Sequence, residues 1–365
     1  MPPFYRAYPA LASRGAGVCK PARTGPYLAG MTGPALTHME AETREAPDVA
    51  ARLIERASKP LAELGARLRA SPPRFAITAG RGSSGAASLF AKYLFEQHLG
   101  IVTASATPSL SSIYGGTLDL RESLVVAISQ SGQSPDLVGY CRAAGGQGAL
   151  RVGMINVAGS NLEGAVDLAL PLEAGPEKSV AATKSCLAAM LLCFGLVAHW
   201  RNDREMIAAF EGSPDVLGRA LALEWPGASD FMTGDAPLYT IGRGPGLAIA
   251  KEAALKLKET AGVFAQAYSS AEVLHGPFAL AGPNLRVLIF AQRDAAREGL
   301  DKIAEAFEEA GSRAMLVAWP PNETQPAMEL IGLLTRFYLL ANATTLQRGR
   351  SPDQPPRLRK VTETR

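Results

Sequence analysis

Three features of this chain recur at a single spacing, and that spacing limits the possible folds more than anything else in the sequence. The turn Gly80-Arg81-Gly82 returns as Gly242-Arg243-Gly244, with the arginines 162 apart (243 − 81). Ser129 closes the apolar run LVVAIS, and its counterpart Ala291 follows VLIF (291 − 129 = 162). Met154 in RVGMI corresponds to Leu316 in SRAML (316 − 154 = 162). Each feature is a strand or a strand end, so the spacing predicts an internal duplication of one α/β unit.

Within the first unit, short apolar runs alternate with helical patterns. Strands are predicted at 75–79, near 101–105, at 124–129, at RVGMINV and at DLALPL, with helices over 88–98 and 181–201. Uninterrupted apolar strands suit a parallel sheet covered on both faces, and the alternation predicts a doubly wound arrangement. The expected fold class is α/β: two tandem domains, each a parallel sheet flanked by helices. Residues 40–70 read as helix, acidic early and basic late, with a kink or restart at Pro60. The predicted layout is a loosely attached tail over 1–38, a helical segment over 39–70, the first domain over 71–201 and a helical linker over 202–235. The second domain follows over 236–346, with a tail over 347–365. Met31 and Met39 are alternative starts.

Composition excludes several functions. A net charge of +3 over 365 residues gives no electrostatic footprint for nucleic acid or a membrane surface. Four cysteines without CxxC spacing and four histidines do not suggest a zinc site. The apolar run at 186–200 is too short to span a membrane, and Cys186 and Cys193 within it read as core. Few cysteines and the lack of a secretion signal point to the cytoplasm. There is no GxxxxGK[ST], and neither GRGSSG nor GRGPGL satisfies GxGxxG.

Two stretches carry chemistry. SQSGQSPD lies between a buried strand and a helix start. Ser129, Gln130, Ser131 and Ser134 offer hydroxyls and an amide, Gly132 allows close backbone approach, and Pro135 suits the first helical turn. Free N–H groups at such a start bind anions. With Ser83 and Ser84 of the GRGSSG turn, both loops lie beyond the carboxyl ends of parallel strands, where ligands bind. Hydroxyls without lysine suit one phosphate monoester. The second stretch, 241–277, holds Glu252, Lys256 and Glu259 at i, i+4 and i+7, on one helical face. Spacing alone favours a surface salt bridge between Glu252 and Lys256. His275 follows SSAE, which has the form of a capping box from Ser269 to Glu272. Carboxylates, an amine and an imidazole together make a proton-transfer set. The composition of 347–365 reads as a solvated tail.

These motifs, with AGPEKSVAATKS and the terminal PPRLRKVTETR, resemble the sugar isomerase (SIS) family over residues 40–365. Within it the chain is similar to the isomerase half of glucosamine-6-phosphate synthase and to SIS-type glucosamine-6-phosphate deaminases. The resemblance implies that Ser84, Ser129, Gln130, Ser131 and Ser134 hold a sugar phosphate, and that Glu259 moves a proton between C1 and C2. It implies that His275 assists ring opening from the partner subunit of a homodimer. Lys360 would close over the sugar, turning the tail into a catalytic lid, while Val180 and Thr183 line the pocket and Glu252 and Lys256 support it. No metal or cofactor is implied. SSAEVLHGP stands where the synthase tends to read AAGELKHGP, and EKSVAATK where it tends to read EIGVASTK. Both differences lean towards the deaminase, which converts glucosamine 6-phosphate and water to fructose 6-phosphate and ammonia. The alternatives are a ketose/aldose sugar-phosphate isomerase, a synthase-like protein without the glutaminase half, and a sugar-phosphate sensor.

Overall fold

The structure, a computed structural model, describes residues 36–321 and 324–360. All but the last three residues of the tail predicted over 1–38 lie outside them. Two helices come first, α1 (His38–Arg44) and α2 (Ala46–Ala70). Helix α2 continues through Pro60. The backbone bond that Pro60 forfeits is outweighed by burial of Leu53, Ala57, Leu61 and Leu64 on either side of it.

The first sheet unit then runs β1 (Phe75–Ala79), α3 (Gly82–Leu99), β2 (Thr103–Ser105), α4 (Pro108–Ser112), β3 (Ser123–Ser129), α5 (Pro135–Gly146), β4 (Leu150–Ile155) and β5 (Leu168–Pro171). Helix α6 (Lys184–Arg201) closes it. Three helices follow: α7 (Arg204–Glu211), α8 (Ser213–Ala222) and α9 (Ala228–Met232). The second unit runs β6 (Leu238–Gly242), α10 (Gly246–Lys256), β7 (Ala265–Ser269), β8 (Arg286–Ala291), α11 (Arg297–Glu309), β9 (Arg313–Ala318) and α12 (Pro326–Gln347).

The strand orders are β2-β1-β3-β4-β5 and β7-β6-β8-β9, and every pairing is parallel. In each sheet the first strand of its unit pairs with the second on one side and the third on the other. The order therefore reverses there, leaving a crevice at the carboxyl ends of the strands. The 162-residue spacing holds at β2 and β7 (265 − 103) and at the starts of α5 and α11 (297 − 135). β5 has no partner strand in the second sheet.

One apolar core joins both units. Leu53 of α2, Phe90 of α3, Leu191 of α6, Leu217 of α8, Ile249 of α10 and Leu334 of α12 all belong to it. Helix α6 is buried around almost its whole circumference, as an all-apolar helix at the centre of a domain must be. Helix α3 of the first unit packs against α10 of the second. Among the described residues no helix is long and apolar enough to cross a membrane.

Candidate active site

The first crevice opens into a cavity of about 340 Å³. The β3–α5 loop forms one wall and is shaped by its own side chains. Ser129 Oγ accepts from Gly132 N at 2.9 Å, and Ser131 Oγ accepts from Gln133 N at 3.3 Å. Gly132 has φ +63°, and a Cβ there would lie 2.1 Å from Ser160 Oγ, so only glycine fits. Ser83 and Ser84 come from the first turn of α3. With Ser129, Gln130, Ser131 and Ser134 they line the cavity together, between the N-termini of α3 and α5. Two helix starts and a ring of hydroxyls can hold an anion.

Lys256 and Glu259 line the same cavity. Helix α10 ends at Lys256, and 257–261 form a π-helical turn closed by Gly262 at φ +64°. The wider turn sets Glu259 at the cavity, with its side chain 23% exposed, while Lys256 and Glu252 are 1% and 0% exposed. π-turns of this kind cluster at functional sites, and nothing in the spacing of the three residues announced one. Lys256 Nζ donates to Glu259 Oε2 and lies 3.5 Å from Glu252 Oε1. The surface salt bridge expected from spacing is thus a buried one. Glu252 Oε1 also accepts from Tyr338 Oη of α12 at 3.0 Å, whereas Oε2 has no hydrogen-bond partner among the described residues. Burial, opposed by Lys256 and reinforced by the charge of Glu259, raises the Glu252 pKa to about 7. The two carboxylates raise that of Lys256 despite its burial. Glu252 sits behind the cavity and is not among its lining residues.

The third wall is the segment before α6 together with the C-terminal tail. Val180, Ala182, Ser185 and Cys186 line it, and so does Lys360. Lys360 Nζ donates to Glu177 Oε2 at 3.1 Å and to Ser179 O at 2.6 Å. Glu177 is fully buried and also accepts from Thr183 N, Ser185 N and Ser185 Oγ. The tail is fixed further back by Asp353. Its carbonyl accepts from Val180 N at 3.2 Å, and its carboxylate accepts from the backbone N–H groups of His38 and Met39, each at 2.8 Å, at the start of α1. Helix α1 in turn presents Glu42 to the N–H groups of Lys178 and Ser179. The tail is therefore docked against the first unit at Pro352, Asp353 and Lys360, contrary to a wholly solvated tail, although 356–359 between them are exposed.

Several expected residues stand elsewhere. Thr183 is buried, does not line the cavity, and stands at the N-cap position of α6 without a side-chain capping bond. His275 is exposed, beyond a short 3₁₀ turn at Glu272–Leu274, and does not line the cavity of its own chain. The capping box before it does not form: Ser269 Oγ accepts from Ala271 N at 3.3 Å, and the turn starts after Ala271 rather than Ser269. Sequence reasoning passed over Glu177 and Tyr338. Glu177 lay within a quoted motif, but nothing in its spacing predicted burial, and Tyr338 is one apolar-face residue among many in α12. A larger open groove, about 1260 Å³ between α2, α7, α8 and the start of α12, holds none of the residues singled out above.

A family model described as the SIS domain matches residues 73–198 and 235–318. Glutamine–fructose-6-phosphate aminotransferase (isomerizing) of Aeropyrum pernix is 34% identical over 313 residues, 78% of this chain and 50% of the relative. The enzyme of the same name from Methanothermobacter thermautotrophicus is 31% identical over 303 residues, again covering 50% of the relative. The chain spans half the length of these curated relatives. Among solved structures, a candidate phosphosugar isomerase from Silicibacter pomeroyi DSS-3 is 36% identical, with a TM-score of 0.83 over 87% of this chain and 100% of that one. Glucosamine-6-phosphate deaminase from Thermotoga maritima shares the fold at 19% identity, with a TM-score of 0.74 over 90% of this chain and 100% of that one. Duplicated parallel sheets, the serine-lined crevice and these matches lead to one conclusion: the chain belongs to the SIS domain family.

Proposed function

We propose that this protein is a phosphosugar isomerase that moves a proton between C1 and C2 of a hexose 6-phosphate, in the manner of the isomerase half of the aminotransferases it resembles. The observation that carries the reading is the single cavity in which a hydroxyl-lined anion cradle, Glu259 and Lys360 meet. A C2 proton beside a carbonyl or imine is acidic enough for one positioned carboxylate to remove. Glu259 takes that proton and returns it to the neighbouring carbon through an enediol or enolamine. Lys256, bonded to Glu259, keeps its carboxylate oriented. Lys360 faces the carbonyl end of the open sugar. His275 opens the ring from the partner subunit of a homodimer, which accounts for its distance from the cavity of its own chain.

The substrate pair that fits best is fructose 6-phosphate and ammonia against glucosamine 6-phosphate and water. A C2 imine forms with loss of water, and proton transfer from C1 to C2 completes the amino sugar. The deaminase is this reaction run backwards. The motif departures in SSAEVLHGP and EKSVAATK lean towards that direction, while the relatives at 30% identity or more lean towards synthesis or plain isomerisation. Purified protein supplied with fructose 6-phosphate and ammonium, with glucosamine 6-phosphate, or with glucose 6-phosphate distinguishes them, with ammonia, ketose and solvent deuterium at C1 or C2 measured separately. No deuterium exchange on any of the three sugars would sink the isomerase reading.

A further inference from the structure

The cradle for the phosphate raises a question of charge. A phosphate monoester is close to a dianion at neutral pH, yet the β3–α5 loop contributes hydroxyls and an amide but no cation. Two lysines line the same cavity, and both are already engaged with carboxylates: Lys256 with Glu252 and Glu259, and Lys360 with the fully buried Glu177. Arg359 lines it too, but from the exposed C-terminal tail and not from either helix start that frames the cradle. Arg81 is differently placed. It is the N-cap residue of α3, just before Ser83 and Ser84, and it lines the cavity with a side chain 56% exposed. Its Nε and Nη2 donate to Asp136 Oδ2 at 3.1 and 2.7 Å. Asp136 is itself buried, in the first turn of α5. The guanidinium thus spans the two helix starts that frame the cradle. It is locked on one edge, while Nη1 has no partner among the described residues.

The duplication supplies an internal control. Arg243 occupies the position of Arg81, and Glu298 that of Asp136 (298 − 136 = 162). The two do not pair: Arg243 Nη1 donates to Ser269 Oγ at 3.1 Å, and Glu298 accepts from Lys302. The cradle is missing there as well, since Pro245, Gly246, Arg293, Asp294 and Ala296 stand where Ser83, Ser84, Ser131, Gly132 and Ser134 stand in the first unit. The arginine–carboxylate clamp occurs in the half that has a cradle and not in the half that has lost it. Had the clamp served only to hold helix to helix, the second unit would need it equally.

The geometry points to Arg81 as the cation that neutralises the substrate's phosphate, pre-oriented by Asp136. A guanidinium fixed by one carboxylate presents its remaining N–H groups to a second oxyanion with little further ordering. This assignment rests on the phosphosugar reading above, and calorimetric binding of fructose 6-phosphate to the full chain tests the two separately. Arg81→Gln should weaken binding about 10- to 100-fold, as removal of one charge-assisted bond does, and leave weak binding of unphosphorylated fructose unchanged. Arg243→Gln should bind like the wild type. Arg81→Lys, which keeps the charge without the fork, should fall between them and stands in if Arg81→Gln does not fold by circular dichroism. Equal affinity in wild type and the Arg81 variants, or equal loss in the Arg81 and Arg243 variants, overturns the role of Arg81 while leaving the isomerase reading intact. A wild type that binds neither fructose 6-phosphate nor glucosamine 6-phosphate overturns both.

Discussion

Glu252 carries a charge problem that its neighbours only half solve. One ammonium, Lys256, serves two carboxylates, and the buried one has an oxygen without a hydrogen-bond partner among the described residues. Its pKa of about 7 lies above that of a free carboxyl. Between those two values the folded chain holds a proton that the unfolded chain has released. Stability therefore falls as pH rises through this window and levels off above about 7. Glu252→Gln should flatten that slope, removing roughly 1 to 3 kcal/mol of pH dependence between pH 5 and 8, as read by urea melts at several pH values. A slope identical to wild type would mean that Glu252 is ionised throughout. Tyr338→Phe should destabilise by about 1 to 3 kcal/mol, because it takes a donor from a fully buried carboxylate. Glu259→Gln belongs to chemistry rather than stability: kcat should drop by about 10²- to 10⁴-fold with the melting temperature nearly unchanged, and a loss under 10-fold would exclude it as the base.

At the scale of elements, the duplication was legible because strands repeat their apolar runs at nearly fixed intervals: the starts of four strand pairs fall 162 or 163 residues apart (238 − 75, 265 − 103, 286 − 123, 313 − 150). The serine loop was legible too, because turn chemistry is local. Its shape comes from Ser129, Gly132 and Gln133, all within five residues. What could not be read depends on contacts between distant parts of the chain. The π-turn at 257–261 exists because 252–261 must present Lys256 inward and Glu259 towards a cavity, and no residue in KLKETAG marks the switch. The burial of Glu177 likewise depends on α6, the tail and the segment between them closing around one carboxylate. The tail shows most plainly where composition misleads. Its prolines and charges say solvent, yet Asp353 bonds two N–H groups of a helix more than 300 residues earlier. Asp353→Ala should cost about 1 to 2 kcal/mol, as loss of a helix cap does. It should also speed amide exchange in α1 and around 177–180 together. Faster exchange in α1 without change at 177–180 would show that the two contacts of Asp353 are independent.

For the whole molecule, the shared core means that the two sheet units do not stand as separate bodies. Helix α12 of the second unit packs against α6 of the first, and α3 meets α10 across the junction beside the cavity. Denaturation should follow one transition, with fluorescence and far-ultraviolet dichroism coincident. Two separated transitions would mean that the halves fold independently despite their common core.

Lys360 also stands apart along the chain from the rest of the cavity. Every strand and helix that builds the cavity precedes it in the chain, and so do both partners of its ammonium. A chain ended by an early stop codon beyond α12 would keep the cavity's hydroxyls and Glu259 but lack Lys360. On the function proposed above, such a product should bind a phosphosugar and fail to turn it over. On that reading, what binding needs and what turnover needs lie in different stretches of the chain, the second including the tail and the first not.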